Sequence, residues 1–176
     1  IGQETVSGSG QNLLSVLFEG KCGESTVGSI TVTLDGTAGP SGLGAVRLMD
    51  SDGAELATAQ PASRISFAVG RTVASGERLN LTVQADISAS AAEGATVGMR
   101  IASPADVTLS GALAWLEAAQ GQNELSYIGS VPQVPVVDGG FSDWAARQSL
   151  DQINEASTGL KSSADIRCYG AVSDGA

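Results

Sequence analysis

The sequence predicts an all-β protein whose main part is a β-sandwich, and three observations lead to that prediction. Apolar and polar residues alternate with a period of two in a series of short segments, which is the pattern of strands with one buried face. Turn sequences rich in Gly, Pro and Asp separate these segments. Gly accounts for 23 of the 176 residues, as tight turns between short strands rich in Val, Ile, Leu and Thr require.

Seven segments between residues 11 and 110 carry this alternation. Their apolar members, in chain order, are Leu14, Val16 and Phe18; Ile30, Val32 and Leu34; Val46 and Leu48; Ile65, Phe67 and Val69; Leu79, Leu81, Val83, Ala85 and Ile87; Val97, Met99 and Ile101; and Val107 and Leu109. Seven or more short strands with Gly, Pro and Asp turns are typical of a β-sandwich. We therefore expect the alternating residues of the central segments to lie between two sheets, namely Ile30, Val32, Phe67, Leu81 and Val83.

Changes in amino-acid composition along the sequence divide the chain into four parts. Residues 1–10 are polar and rich in Gly and Ser, so they form either a mobile arm or an extended edge segment in which Thr5 and Val6 add to a sheet. Residues 11–128 form the sandwich, although 112–128 fit a short helix as well as a strand. Residues 129–137 contain Pro132 and Pro135 and are expected to form a stiff linker. Residues 138–176 begin a second β-sandwich that is too short to close by itself.

Charge and composition exclude several classes of function. Nine basic against nineteen acidic residues give a net charge of -10, which argues against nucleic acid and against an anionic membrane surface as partners. The absence of His removes histidine-based catalysis and histidine-ligated zinc. No apolar stretch approaches 18 residues, so direct membrane insertion is not expected. No initiator Met or leader precedes Ile1, and we expect a processed chain or a piece of a longer one.

A first resemblance lies in LTVQADISASAAEGATVGMRIASPADVTLSG, residues 81–111. This stretch resembles the closing strands of an immunoglobulin-like module found in multidomain extracellular proteins of archaea and bacteria. Residues 30–58 are similar to earlier strands of the same module, and the resemblance extends loosely over residues 10–115. It implies an immunoglobulin-like fold and an extracellular or cell-surface location, and it implies no reaction.

A second resemblance lies in VVDGGFSDW, residues 136–144. It is similar to the opening of β-sandwich modules related to a family of carbohydrate-binding domains, although Val137 stands where that motif usually has Ile. The matching residues are Asp138, Gly139, Phe141, Asp143 and Trp144. The sugar-binding aromatic residues of that family lie further along, so the resemblance carries no sugar contact to this chain. It implies instead that Phe141 and Trp144 anchor a core.

One acidic loop is a candidate cation site. Asp50, Asp52 and Glu55 place three carboxylates within six residues around a Gly, and oxygen clusters of this kind suit hard cations. Ca2+ is the one cofactor that the sequence suggests. The spacing is not that of a twelve-residue EF-hand loop, and an ordinary β-turn with Asp and Gly in their usual positions explains the same residues.

Three further residues are candidates for covalent modification. Cys22 and Cys168 are either two buried thiols or, in a secreted chain, the two halves of one disulfide. Asn80 begins Asn80-Leu81-Thr82, which satisfies the acceptor rule for N-linked glycosylation. Asn80 lies on the opposite face of its strand from Leu79 and Leu81, so we expect it to be exposed to solvent.

These observations lead to one function hypothesis and one alternative. We expect a non-enzymatic structural or adhesive protein of the cell exterior, in its most specific form a repeating subunit of a surface filament or layer. Its partners would be copies of itself or neighbouring surface proteins, reached through strand edges, stacked modules and an acidic surface. The alternative is a carbohydrate-binding accessory region of a larger secreted enzyme, with glycans as partners. No catalytic residue can be named, since the sequence has neither a nucleophile motif nor an identifiable pair of catalytic acids.

Overall fold

The computed structural model describes residues 5–21, 23–111 and 125–130, together with the backbone of two short strands at 149–150 and 168–169. The chain divides into two compact units, of which the larger is Gly2–Val131 and the smaller comprises Pro132–Ala176 with Ile1. Within the described residues, no helix is long and apolar enough to cross a membrane.

The larger unit is a sandwich of two β-sheets. Its strands are β1 (Thr5–Val6), β2 (Gln11–Glu19), β3 (Ser25–Asp35), β4 (Leu43–Asp50), β5 (Glu55–Ala59), β6 (Arg64–Val73), β7 (Arg78–Ile87), β8 (Thr96–Arg100), β9 (Val107–Ser110) and β10 (Ser126–Ile128). One sheet has four strands in the order β2-β7-β4-β5. The other has six, in the order β1-β10-β8-β3-β6 with β9 also paired to β3. Every pair in the two sheets is antiparallel except β1 with β10. The predicted all-β sandwich is therefore confirmed.

The core lies between the two sheets and includes the central alternating residues that the sequence singled out. The five central ones are at most 2% exposed: Ile30, Val32, Phe67, Leu81 and Val83. Leu14, Val16 and Phe18 of β2 pack against this core but are only half-buried. The predicted register of the strands is thus confirmed, since a slip of one residue would have moved these side chains to the opposite face.

Strand β5 is the element that the periodicity did not reveal. It forms a hairpin with β4 through the turn at Asp50–Gly53, and it is the outer strand of its sheet. Leu56 and Ala57 are neighbours in sequence, yet both are half-buried. An edge strand that is partly covered on both faces shows no clean alternation, and this explains why the pattern was missed.

The N-terminal segment joins the two sheets. Thr5 and Val6 run parallel to Tyr127 and Ile128 at one edge of the six-stranded sheet, and the Val6 side chain is buried. The Gly129 N–H donates to the Val6 carbonyl at 3.0 Å, which continues the ladder. Of the two sequence interpretations, the extended edge segment is the one found for Thr5 and Val6. Insertion of this segment into a neighbouring molecule stays a prediction.

The smaller unit is described only by two short strands. Strand β11 (Ser149–Leu150) pairs antiparallel with β12 (Cys168–Tyr169), and Leu150 stands opposite Cys168 in the register. Both strands lie within residues 138–176, where the sequence predicted the beginning of a second β-sandwich. The remainder of the predicted second module lies outside the described residues.

Candidate functional site

The acidic loop forms a turn in which the carboxylates of Asp50 and Glu55 have different neighbours. One oxygen of Asp50 accepts hydrogen bonds from the backbone N–H groups of Asp52 and Ala54, at 3.0 and 2.9 Å. The Glu55 carboxylate lies 3.6 Å from the Arg47 guanidinium instead. Within the described residues, no group of three or more carboxylate or thiol side chains is placed to hold a metal ion. The structure thus brings the predicted calcium candidates together as a turn and not as a converging ligand set.

A bidentate ion pair ties β4 to β7 beside this turn. Arg47 donates from Nη1 and Nη2 to the two oxygens of Asp86 at 2.8 and 2.7 Å, a geometry that is stronger than a single contact. The Gly10 N–H donates to Asp86 Oδ1 at 2.9 Å. The hydrogen bonds from Arg47, followed by that from Gly10, lower the pKa of the Asp86 carboxyl. The Arg47–Asp86 pair thus joins β4 to β7, and the hydrogen bond from Gly10 fastens the residue before β2 to β7.

Two polar cross-strand rows connect the outer faces of β2 and β7. Near one end, Gln84 Nε2 donates to Asn12 Oδ1 at 2.9 Å. Near the other end, Arg78 Nη2 donates to Glu19 Oε1 at 3.2 Å, and Lys21 also contacts this carboxylate. The hydrogen bonds from Lys21 and Arg78 lower the pKa of Glu19. The side chains of both rows are therefore tied to one another across the strands.

Between these two rows lies a patch of four side chains without such ties, which we call the open patch: Ser15, Leu17, Asn80 and Thr82. Ser15 is the cross-strand partner of Thr82, and Leu17 is the partner of Asn80. Leu17 is 54% exposed and is the one exposed large hydrophobic residue in the described part of the chain. Asn80 is exposed, as the sequence predicted. None of the four side chains takes part in the hydrogen bonds of the described residues.

Strand β2 is also the edge of its sheet. It pairs with β7 on one side, and no described strand pairs with its other side. Pairing with β7 is regular from Leu14 to Glu19, after an irregularity between Asn12 and Leu14. An edge of this kind presents a row of backbone donors and acceptors to any chain that approaches.

Several predicted site residues lie outside the described residues. These are Cys22, and the motif residues Asp138, Gly139, Phe141, Asp143 and Trp144. Cys168 is described only by its backbone in β12, so the proposed disulfide with Cys22 stays a prediction. The same holds for the idea that Phe141 and Trp144 anchor a second core.

Sequence reasoning missed the open patch and the β2 edge, although a signal was present. The run LLSVLF, residues 13–18, contains no charged residue, Pro or Gly. Leu17 stands at a position where the alternating pattern would place a polar residue. Such a run is unusual for an exposed edge, which is normally protected by charges or Pro. The location of β2 at an edge is a property of the sheet order and could not be read from the run itself.

Comparison with known proteins places no further constraint on the site: no family model, no curated protein and no solved structure matches the chain. The fold defines the class of protein, an all-β chain with a sandwich of one four-stranded and one six-stranded sheet.

Proposed function

We propose that this chain is a non-enzymatic structural or adhesive protein of the cell exterior, and that it assembles with copies of itself through the free edge of β2. The observation that carries the proposal is the nature of this edge. Nine residues long, β2 contains one charged residue, Glu19, which stands at its end. A long apolar edge without protective charges or Pro is a template for pairing with another strand.

The other edge strands of the sandwich differ from β2. At the edges, β1 and β5 have only two and five residues. Strand β6 is as long as β2, but it bears Arg64 and Arg71, and its ladder with β3 shifts register near Gly70, which has a φ of 59°. Short strands, exposed charges and bulges are the devices by which proteins block edge pairing. Among the edges in the described residues, β2 has the fewest of them.

The sequence of β2 is compatible with pairing to itself. If two copies meet antiparallel about Val16, Leu14 lies opposite Phe18 on the core side, and Ser15 lies opposite Leu17 on the outer side. No charged residue meets a like charge in the segment from Leu14 to Phe18. Leu14, Val16 and Phe18 are half-buried because the sheet ends beside them, and a second β2 would complete their cover. Such an interface is two-fold symmetric.

The charge of the chain predicts how this association responds to salt. Each copy carries a net charge of -10, so two copies repel each other at long range. Raising the ionic strength from about 0.01 M to 0.15 M shortens the Debye length from ~30 to ~8 Å. Pairing through backbone and apolar contacts should therefore strengthen with salt, whereas an interface held by ion pairs would weaken.

Sedimentation velocity on the full chain and on Leu17→Lys tests the proposal. Lys at position 17 puts a solvated cation on the edge and also reduces the net negative charge of the chain. A loss of association therefore cannot come from added repulsion between copies. We expect the unmodified chain to associate and Leu17→Lys to be monomeric at the same concentration.

Ala68→Lys is the matched control, because Ala68 is exposed on the outer face of the other long edge strand, β6. It should associate like the unmodified chain. Association that Leu17→Lys leaves unchanged would exclude β2 as the interface, and an unmodified chain that stays monomeric at all salt concentrations would exclude the subunit function.

The two resemblances found in the sequence, at residues 81–111 and 136–144, also bear on this proposal. The resemblance of residues 81–111 to an extracellular immunoglobulin-like module supports the proposed location, because this stretch includes most of β7 together with β8 and β9 of the sandwich. The similarity of residues 136–144 to a carbohydrate-binding-like module supports a multidomain surface protein. No contact in the described residues favours a sugar-binding accessory role.

A further inference from the structure

We propose that Asn80 carries an N-linked glycan whose first sugars lie over Leu17. This inference rests on the extracellular location in the proposed function, since the required lipid-linked oligosaccharide is used where chains leave the cell. The glycan would lie on the outer face of the four-stranded sheet, which borders the assembly edge at Leu17. A glycan on the outer face of the four-stranded sheet leaves the backbone groups of β2 free in the plane of that sheet.

The chain contains one acceptor sequence for N-linked glycosylation, and it lies on the outer face of β7. Of the four Asn residues in the chain, only Asn80 is followed two residues later by Ser or Thr. Asn80 and Thr82 are two positions apart in β7, so both lie on the outer face, while Leu81 between them is 1% exposed in the core. The acceptor amide and the hydroxyl of the motif therefore share the solvent side of the strand.

The Asn80 amide is not committed to the fold. Asn12, the other Asn on this sheet, accepts a hydrogen bond from Gln84, whereas the Asn80 side chain makes none with the described residues. Its cross-strand neighbour is Leu17 and not a polar partner. Substituting the amide nitrogen therefore costs the fold no hydrogen bond, and the Asn80 side chain is exposed to solvent.

The exposure of Leu17 beside Asn80 is a second, independent observation that supports the glycosylation site. It is the exposed large hydrophobic residue of the described chain, and its register partner is the acceptor Asn80. The C–H-rich face of a pyranose ring is apolar, so the first sugar on Asn80 can cover Leu17 and remove apolar surface from water. One modification thus explains both the free amide and the exposed Leu on an otherwise polar face.

The chemistry is a glycosyl transfer without change of oxidation state. The amide nitrogen Nδ2 of Asn80 forms a bond to C1 of the reducing-end sugar of a polyprenyl-phosphate-linked oligosaccharide. The bond from C1 to the phosphate oxygen breaks, the polyprenyl phosphate or diphosphate leaves, and the amide loses one proton to solvent. Because Asn80 lies within β7 and faces Leu17 of β2, the transferase must act on the extended chain before β7 pairs with its neighbours.

Peptide mapping by mass spectrometry tests the modification. The full chain is secreted from a host in which a control protein with a known acceptor site is verified to be glycosylated. Trypsin cuts after Arg78 and Arg100, so the acceptor lies in the peptide Leu79–Arg100. We expect this peptide to carry a glycan in the unmodified chain and in Thr82→Ser, and to be bare in Asn80→Gln and Thr82→Ala. Asn12→Gln is the matched control and should keep the glycan.

A bare peptide in the unmodified chain would overturn the proposal, as would a glycan that persists in Thr82→Ala. The contact with Leu17 is tested separately, by nuclear Overhauser effects between the Leu17 methyl protons and the sugar protons. Their absence in a glycosylated chain would overturn the covering role. Peptide mapping and sedimentation of the same unmodified chain keep the two proposals apart: a bare peptide in a chain that assembles refutes only the glycan, and a glycan on a chain that stays monomeric refutes only the subunit function.

Discussion

The two long edge strands of the sandwich, β2 and β6, have similar lengths and the same alternation, yet they meet solvent in different ways. Strand β6 buries Ile65, Phe67 and Val73 to within 4% exposure, while the corresponding apolar residues of β2 are only half-buried. The outer face of β6 is tied to β3 by hydroxyl pairs, Thr31 with Ser66 at 2.8 Å and Thr26 with Thr72 at 3.2 Å. The outer face of β2 has the open patch instead.

The charged residues sharpen this difference. Arg64 of β6 contacts Asp106 at 2.5 Å, and Arg71 lies 4.0 Å from Asp50. Strand β2 has no basic residue, and its single acid, Glu19, is held at the end by Arg78 and Lys21. Within the described residues, the charges and hydroxyls of the β6 edge are bonded to neighbouring strands, whereas the β2 edge has unpaired backbone groups and exposed apolar surface. The difference teaches that edge protection, and not alternation, distinguishes these two edges.

The largest expected effect comes from comparing one Phe on each edge. Phe67→Ala empties a position that is 2% exposed, so it should lower the free energy of unfolding by about 3–5 kcal/mol. Phe18→Ala removes a half-buried ring and should cost about 1–2 kcal/mol. Denaturant unfolding of monomeric protein measures both. Equal losses would show that β2 is as well covered as β6, and would remove the basis of the comparison.

A smaller effect is expected where β1 covers the opposite edge of the six-stranded sheet. Val6 is buried, and its carbonyl continues the ladder to Gly129. Val6→Ala should lower the free energy of unfolding by about 2 kcal/mol, from the two carbon groups removed and the cavity left behind. Hydrogen exchange at the Ile128 and Gly129 amides should quicken as well. An unchanged stability would mean that β1 does not protect this edge, and that the segment is free to pair elsewhere.

The smallest effect concerns acid. Asp86 has a lowered pKa, so its pair with Arg47 stabilises the fold fully above the ordinary Asp pKa of about 3.9. This stabilisation is lost as the pH falls through the lower pKa of the folded state. Asp86→Asn and Arg47→Met should each reduce stability at pH 7 and flatten its decline below about pH 4. Thermal unfolding as a function of pH measures this, and an acid dependence identical to that of the unmodified chain would refute the assignment.

Much of the fold could be predicted because alternation is a local property. Val83 and Leu81 alternate with polar residues, and burial of one face of a strand follows directly from that period. The turn at Asp50–Gly53 and the exposure of Asn80 follow from the same local rules. Strand β5 could not be predicted in this way, because a hairpin edge that is partly covered on both faces loses the alternating signal.

The sequence by itself determined the sheet class, the buried face of each long strand and the acceptor motif at Asn80, because each depends on residues within a few positions of one another. Only the tertiary structure decided which strands lie at edges, that Thr5 and Val6 run beside Tyr127 and Ile128, and that Leu17 stands opposite Asn80. These facts depend on strand order and on register between distant segments. Both are set by how two sheets share one core, and no local pattern encodes them.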